Sequence, residues 1–296
     1  FCSGGDMKSV YKSGMAYRRE EVGVDSAVLF FEEEYTLNRS IYEYQKPVIT
    51  LMNGIVMGGG FGIGGPSAFS IATNSTVFAM PEALLGFFPD VGAAYFLNKC
   101  PGHYGLYLAL TGARIGGQEM AAAGLATHYV PCLGQGELVK GLVSALEKRG
   151  EADARDLIKA FLSGQADPDL SAPDALENLA EIERCFSGEG IEKICLNLEE
   201  SEWGRDVKNK MLLGSPTSLK VIYRYMNLCK DLSFQEVLQQ DLKLARAFVA
   251  SHDFYEGVRS VLLHKDHSPV WEPDKLEDVS DEMVEVYFES SRGGTK

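Results

Sequence analysis

Apolar residues recur at helical spacing over residues 26–44, with Val28, Phe31, Tyr35 and Ile41 on one side and Leu37 beside them. This predicts a helix that carries the acidic run Glu32-Glu33-Glu34 and ends at Lys46-Pro47. The continuous apolar stretch 48–52 reads as a buried strand. It runs into the glycine cluster Gly58-Gly59-Gly60 and Gly62, where the chain turns helical. Residues 69–72 and 76–79 read as two more short strands. Asp90 sits where a helix over 91–97 would take its N-cap, and helices follow near 104–110 and 117–124. The first half therefore alternates strand and helix.

The second half is helical in pattern throughout. Amphipathic segments fall near 137–148, 152–162, 174–185, 191–198 and 202–210, separated by Gly, Ser, Asp and Pro. Residues 216–228 and 233–250 read as a helical hairpin, the latter opened by the capping box Ser233-x-x-Glu236. A helix over 254–264, a turn-rich stretch over 266–273 and a final helix over 281–289 complete the pattern. There is no internal repeat, and the boundary near 131–136 is weakly marked.

Composition narrows the reading. With 296 residues, 45% hydrophobic and 24% charged, the chain has ample material for a folded core of one large domain or two smaller ones. A net charge of -14 argues against nucleic acid or an anionic membrane surface as partner, because both select a basic footprint. No apolar run approaches the roughly 18 to 20 residues of a membrane span. The cysteines Cys2, Cys100, Cys132, Cys185, Cys195 and Cys229 form no C-x-x-C pair and have no histidine at metal spacing. They are expected to be reduced thiols of an intracellular protein, with no metal site.

The candidate chemistry lies in residues 80–92, where Glu82 and Asp90 each follow a proline inside an otherwise apolar segment. A carboxyl among Met, Leu and Phe loses hydration, and a second acid nearby raises its pKa further. Such a pair can divide nucleophile, acid and base roles near neutral pH. The bland alternatives are a strand-end acid for Glu82 and a helix cap for Asp90. A strand delivering Met57-Gly58-Gly59-Gly60 into a helix start would present bare N–H groups suited to an oxyanion, and Gly4-Gly5 could add a second donor. Turn formation and tight packing explain the same glycines equally well on spacing alone.

Taken together, several motifs resemble the crotonase (enoyl-CoA hydratase/isomerase) superfamily. They are Phe1-Cys2-Ser3-Gly4-Gly5-Asp6, Lys46-Pro47 before a strand, Asn53-Gly54-x-x-Met57-Gly58-Gly59-Gly60, and Phe78-Ala79-Met80-Pro81-Glu82 ahead of Gly86-x-x-Pro89-Asp90-x-Gly92. The resemblance continues through Leu108-x-Leu110-Thr111-Gly112 to His252-Asp253-Phe254-x-Glu256-Gly257 and Ser268-Pro269-x-Trp271, so it covers nearly the whole chain.

The resemblance implies an α/β crotonase-like (ClpP/crotonase) core of stacked β-β-α units over residues 1–135, with a helical C-terminal region over 136–296 packing on it. Crotonase domains begin with strands ahead of the Cys-Ser-Gly-Gly-Asp loop. The chain is therefore expected to be N-terminally truncated, with an incomplete sheet and weakened CoA binding.

For the site, the resemblance implies an oxyanion hole from the N–H groups of Gly5 and Gly59. Family hydratases place one acid shortly after the glycine cluster, where this chain has Gly62, so hydration is disfavoured. The family's thioester hydrolases pair the post-proline Glu with an Asp eight residues on, matched by Glu82 and Asp90, while Glu34 matches a substrate-contacting acid. The implied reaction is hydrolysis of a short branched β-hydroxyacyl-CoA in valine catabolism, with Glu34, Gly59, Glu82 and Asp90 touching the substrate. Coenzyme A arrives with that substrate, and no separate cofactor is implied. A mitochondrial setting and homo-oligomers through the C-terminal helices are implied as well. The alternatives are another reaction of the family or a non-catalytic structural subunit of a mitochondrial assembly.

Overall fold

A computed structural model describes residues 1–20, 22, 25–131, 134–147, 153–165 and 176–289. Cys132 and the expected helix beginnings at 152 and 174 lie outside those residues.

Among the described residues six short strands build two small sheets, and the first four strands alternate between them. Strands β1 (Ile49–Met52), β3 (Phe69–Ala72) and β6 (His128–Tyr129) lie parallel in the order β1-β3-β6. In the second sheet, β2 (Ile55–Met57) runs parallel to β4 (Val77–Ala79), and β5 (Ile115–Gly116) pairs antiparallel with β4. Cys2 extends this sheet beside β2. Its N–H donates to Ile55 O at 2.8 Å and its carbonyl accepts from Met57 N at 3.1 Å. The stacked strand-strand-helix plan of the expected core is present. Strands β2, β5 and β6, at two or three residues, are too short to mark an alternating pattern in the sequence.

Between and around the strands run α1 (Met7–Arg18), α2 (Ser26–Tyr42), α3 (Gly59–Gly64), α4 (Ala93–Leu97), α5 (Tyr104–Thr111) and α6 (Gly117–Ala122). Helix α1 has no counterpart in the sequence reading, because only Val10 and Gly14 of it are buried and no apolar stripe announces it. Its start is set chemically: Asp6 Oδ1 accepts from the N–H groups of Lys8 and Ser9 at 3.1 and 3.2 Å. Asp25 caps α2 in the same manner.

Helices α7 (Gln135–Glu147) and α8 (Ala154–Ser163) pack Leu138, Leu142, Ile158 and Leu162 against Phe69, Ile71 and Val130 of the first sheet. Then come α9 (Leu179–Phe186), α10 (Ile191–Leu198), α11 (Glu202–Met211), α12 (Pro216–Leu228) and α13 (Phe234–Ala250). The expected capping box at Ser233 and Glu236 is formed. Helix α14 (His252–Val258) continues as a π-helical turn over Arg259–His264, and α15 (Asp281–Phe288) follows. The main core is continuous from α2 through both sheets to α13 and α14, and includes Phe31, Phe61, Phe78, Phe88, Tyr225 and Phe248.

One local expectation is corrected. Asp90 does not cap a helix with its side chain: α4 begins at Ala93 with Gly92 as its N-cap, and Val91 and Gly92 both have positive φ, 56° and 75°. The Asp90 carboxylate is instead taken by Tyr35.

Candidate active site

Glu82 opens a single 3-10 turn, Glu82–Leu85, that ends at Gly86 in the left-handed conformation (φ 61°). A side chain at 86 would collide with the carbonyl oxygen of Asp253, and one at Gly257 would collide with the backbone of Leu85. Two bare glycines thus let the acid-bearing turn lie directly on α14. Glu82 is 7% exposed. Its Oε2 has no hydrogen-bond partner, while Oε1 lies 3.2 Å from where a β-carbon on Gly58 would stand.

Asp90 is 5% exposed, and its Oδ2 accepts the Tyr35 hydroxyl at 2.7 Å. Tyr35 and Glu34 are adjacent on α2, so one turn of that helix holds Asp90 and brings a third acid to the same place. Asn38, one turn further, donates to Gly62 O at 2.9 Å and ties α2 to α3.

The two glycine loops lie against each other. A β-carbon on Gly4 would lie 3.3 Å from the Gly59 nitrogen, and one on Gly59 would lie 3.4 Å from the Gly5 nitrogen. Gly59 is the first residue of α3, with an N–H that no intrahelical acceptor can reach. Among the described residues neither the Gly5 nor the Gly59 N–H donates to a backbone or side-chain acceptor. A side chain at 59 would also collide with Glu34 Oε1, which places that carboxylate over the glycine pair.

Gly5, Glu34, Gly59, Glu82 and Asp90 line one cavity of about 530 Å³, together with Phe31, Leu84, Leu85, Phe87, Met7, Lys8, Val261 and Leu262. Phe31 and Phe87 stack at 5.2 Å between ring centroids and give the cavity an apolar wall.

Burial is the main reason that all three carboxyls titrate high. Glu82 is pushed well above the usual carboxylate range by burial, with Asp90 and then Glu34 adding repulsion. Burial raises Asp90 to about 7 against the opposing Tyr35 hydrogen bond. Glu34 rises to about 8 through burial and the charge of Asp90. Three such groups around one cavity cannot all ionise at neutral pH, so they share protons as a set.

Tyr35 has a role here that its place in an apolar stripe concealed. Val261 and Leu262 are ordinary apolar positions of the π-helical turn, and nothing in the sequence marks them as cavity wall. His128 and His252 do not line the cavity, and Arg259 is held by Glu256 at 2.7 Å and Asp266 at 2.5 Å. No group of three or more His, Cys, Asp or Glu suited to a metal ion occurs among the described residues.

Residues 1–288 match the enoyl-CoA hydratase/isomerase family, and the chain belongs to that family. The 3-hydroxyisobutyryl-CoA hydrolase, mitochondrial, of Danio rerio is 41% identical over 293 residues, which covers 98% of this chain and 75% of the relative. The protein of the same name from Homo sapiens is 38% identical and covers 98% of this chain and 74% of its own length. Among solved structures, a carnitinyl-CoA dehydratase from Mycobacterium thermoresistibile superposes with a TM-score of 0.83 at 32% identity, covering 99% of this chain and 80% of the neighbour.

Proposed function

We propose that this chain is an acyl-CoA thioester hydrolase that converts 3-hydroxyisobutyryl-CoA to 3-hydroxyisobutyrate and free CoA. The observation that carries the reading is the convergence of buried Glu82 and Asp90 with the free N–H groups of Gly5 and Gly59 on one cavity. The relatives named 3-hydroxyisobutyryl-CoA hydrolase support the choice of acyl group.

In this reading the thioester oxygen sits between the Gly5 and Gly59 amides, which stabilise the negative charge as the carbonyl is attacked. Glu82 attacks the carbonyl carbon to give a mixed anhydride, or deprotonates a water that does so. The C–S bond breaks and CoA leaves as the thiolate, taking a proton from the carboxyl set. On the anhydride route a water then releases the free acid and regenerates Glu82. Asp90, aimed by Tyr35, orients the substrate hydroxyl or the water, and Glu34 seats the acyl end.

The α/β core over 1–135 supplies the acids and amides, and the helical region over 136–296 closes the wall. Coenzyme A enters as part of the substrate, and the chemistry calls for no separate cofactor or metal. A mitochondrial setting, a place in valine catabolism and association through the C-terminal helices belong to the same reading.

Hydration is disfavoured by a specific contact. A β-carbon on Gly62 would lie 2.7 Å from Val91 Cβ and 2.8 Å from Asn38 Nδ2, so no acid fits there.

Replacing Glu82 with Gln is expected to reduce turnover of 3-hydroxyisobutyryl-CoA by at least about 10³-fold while leaving the affinity for the thioester nearly intact. Retained turnover would overturn the assignment. Single turnover in oxygen-18 water separates the two routes, because label in Glu82 marks the anhydride. Preferential turnover of crotonyl-CoA in the same assay would favour a hydratase instead.

A further inference from the structure

Asp241 lies on α13 in the buried stripe that also holds Val237, Leu244 and Phe248, and none of its surface is exposed (0%). A carboxyl in such a place is unfavourable unless its oxygens are engaged. Both are: Oδ2 accepts the Gly92 N–H at 2.6 Å, and Oδ1 accepts the hydroxyl of Tyr225, itself fully buried. Replacing Asp241 by an apolar residue would leave the Gly92 N–H and the Tyr225 hydroxyl buried without their acceptor.

The geometry of its donor at Gly92 gives the acid a further role. Gly92 follows Val91, a β-branched residue at φ 56°, where such side chains are rarely found. Val91 is wedged against the bare Cα of Gly62. A backbone of this kind persists only where its surroundings over-determine it. Asp90 is the next residue back, and Tyr35 holds its carboxylate from α2.

We propose that Asp241 is a positioning residue: by holding the Gly92 N–H it keeps the Val91 turn left-handed and so fixes the direction in which Asp90 enters the cavity. Asp241 does not line that cavity. Its effect passes through the backbone of residues 91 and 92. The inference rests on the role given to Asp90 above.

The test compares kcat, normalised to folded protein, with KM for 3-hydroxyisobutyryl-CoA. Asp241→Asn retains an acceptor for the Gly92 N–H and is expected to keep kcat within about 3-fold of wild type. Asp241→Ala removes the acceptor and is expected to lower kcat about 10²-fold with KM little changed, the size of effect that a misplaced catalytic group produces. A residue that serves only packing would lower the melting temperature and the folded yield but not kcat per folded molecule. If Asp241→Ala does not fold, Tyr225→Phe removes one of the two partners of Asp241 and is expected to lower kcat about 3- to 10-fold at constant KM. Wild-type kcat per folded molecule in Asp241→Ala, or in Tyr225→Phe where the former does not fold, overturns the inference. Asp90→Asn separates the two readings: wild-type activity in that variant ends the role of Asp90 itself, whereas an inactive Asp90→Asn beside a fully active Asp241→Ala ends only the role of Asp241.

Discussion

At the scale of single residues, the carboxyl set ties activity and stability to pH in opposite senses. Asp90 titrates at about 7 in the fold against an ordinary 3.8, and Glu34 at about 8 against 4.5. A raised folded pKa contributes stability below the unfolded value, and that contribution is lost as pH rises through the folded one. The cluster therefore favours the native state least above about pH 8. Asp90→Asn keeps an acceptor for Tyr35 but carries no charge. It is expected to melt higher than wild type at pH 8.5, by about 1 to 3 kcal/mol at roughly 2 to 4 °C per kcal/mol, and to match wild type near pH 4. Thermal unfolding of both proteins across that range checks the sign. Activity should rise with pH as the set ionises. The Tyr35 hydrogen bond holds Asp90 below where burial alone would put it. Tyr35→Phe should therefore move the rising limb of the kcat/KM profile to higher pH, and an unmoved limb would remove Tyr35 from the account. The acids themselves were legible, because two carboxyls in an apolar run stand out. Their partners were not: Tyr35 and Asp241 sit on helical stripes where an aromatic ring passes for core and a single acid passes unnoticed.

At the scale of elements, the glycines mark where backbone must meet backbone. Gly86 has both a left-handed φ of 61° and no room for a β-carbon against Asp253. Gly86→Ala is expected to destabilise the protein by about 2 to 4 kcal/mol, from left-handed strain plus overpacking, and to lower kcat by shifting the Glu82 turn. Urea unfolding together with steady-state kinetics reads both effects. Helices with a broad apolar stripe, such as α2 and α13, were legible within a residue or two. Elements held mainly by a cap or by neighbours were less so. Helix α1 forms on its Asp6 cap with little buried surface, β5 and β6 are two residues long, and the π-helical turn at Arg259–His264 follows α14 without any signal of its own.

At the scale of the whole molecule, the net charge of -14 opposes the approach of an anionic CoA thioester, while Lys8 stands at the cavity. Long-range repulsion is screened over about 10 Å at 0.1 M salt. kcat/KM for the thioester is therefore expected to rise severalfold between about 10 and 150 mM salt, and a fall over that range would show local attraction at the mouth to dominate. The overall order, strand-helix units followed by a helical second half, was legible from periodicity. The two-sheet arrangement was not, because strands β1 and β2 are separated by only Asn53 and Gly54 yet enter different sheets, a parting that only long-range pairing decides.

The cavity wall joins segments far apart in the sequence: residues 3–8 form one side, and Val261 and Leu262 another. A ribosome must therefore have passed residue 262 before the whole wall can close. Catalytic competence is thus a late event in the life of each molecule, and a chain stopped before residue 259 could be richly folded yet unable to shelter its substrate from water.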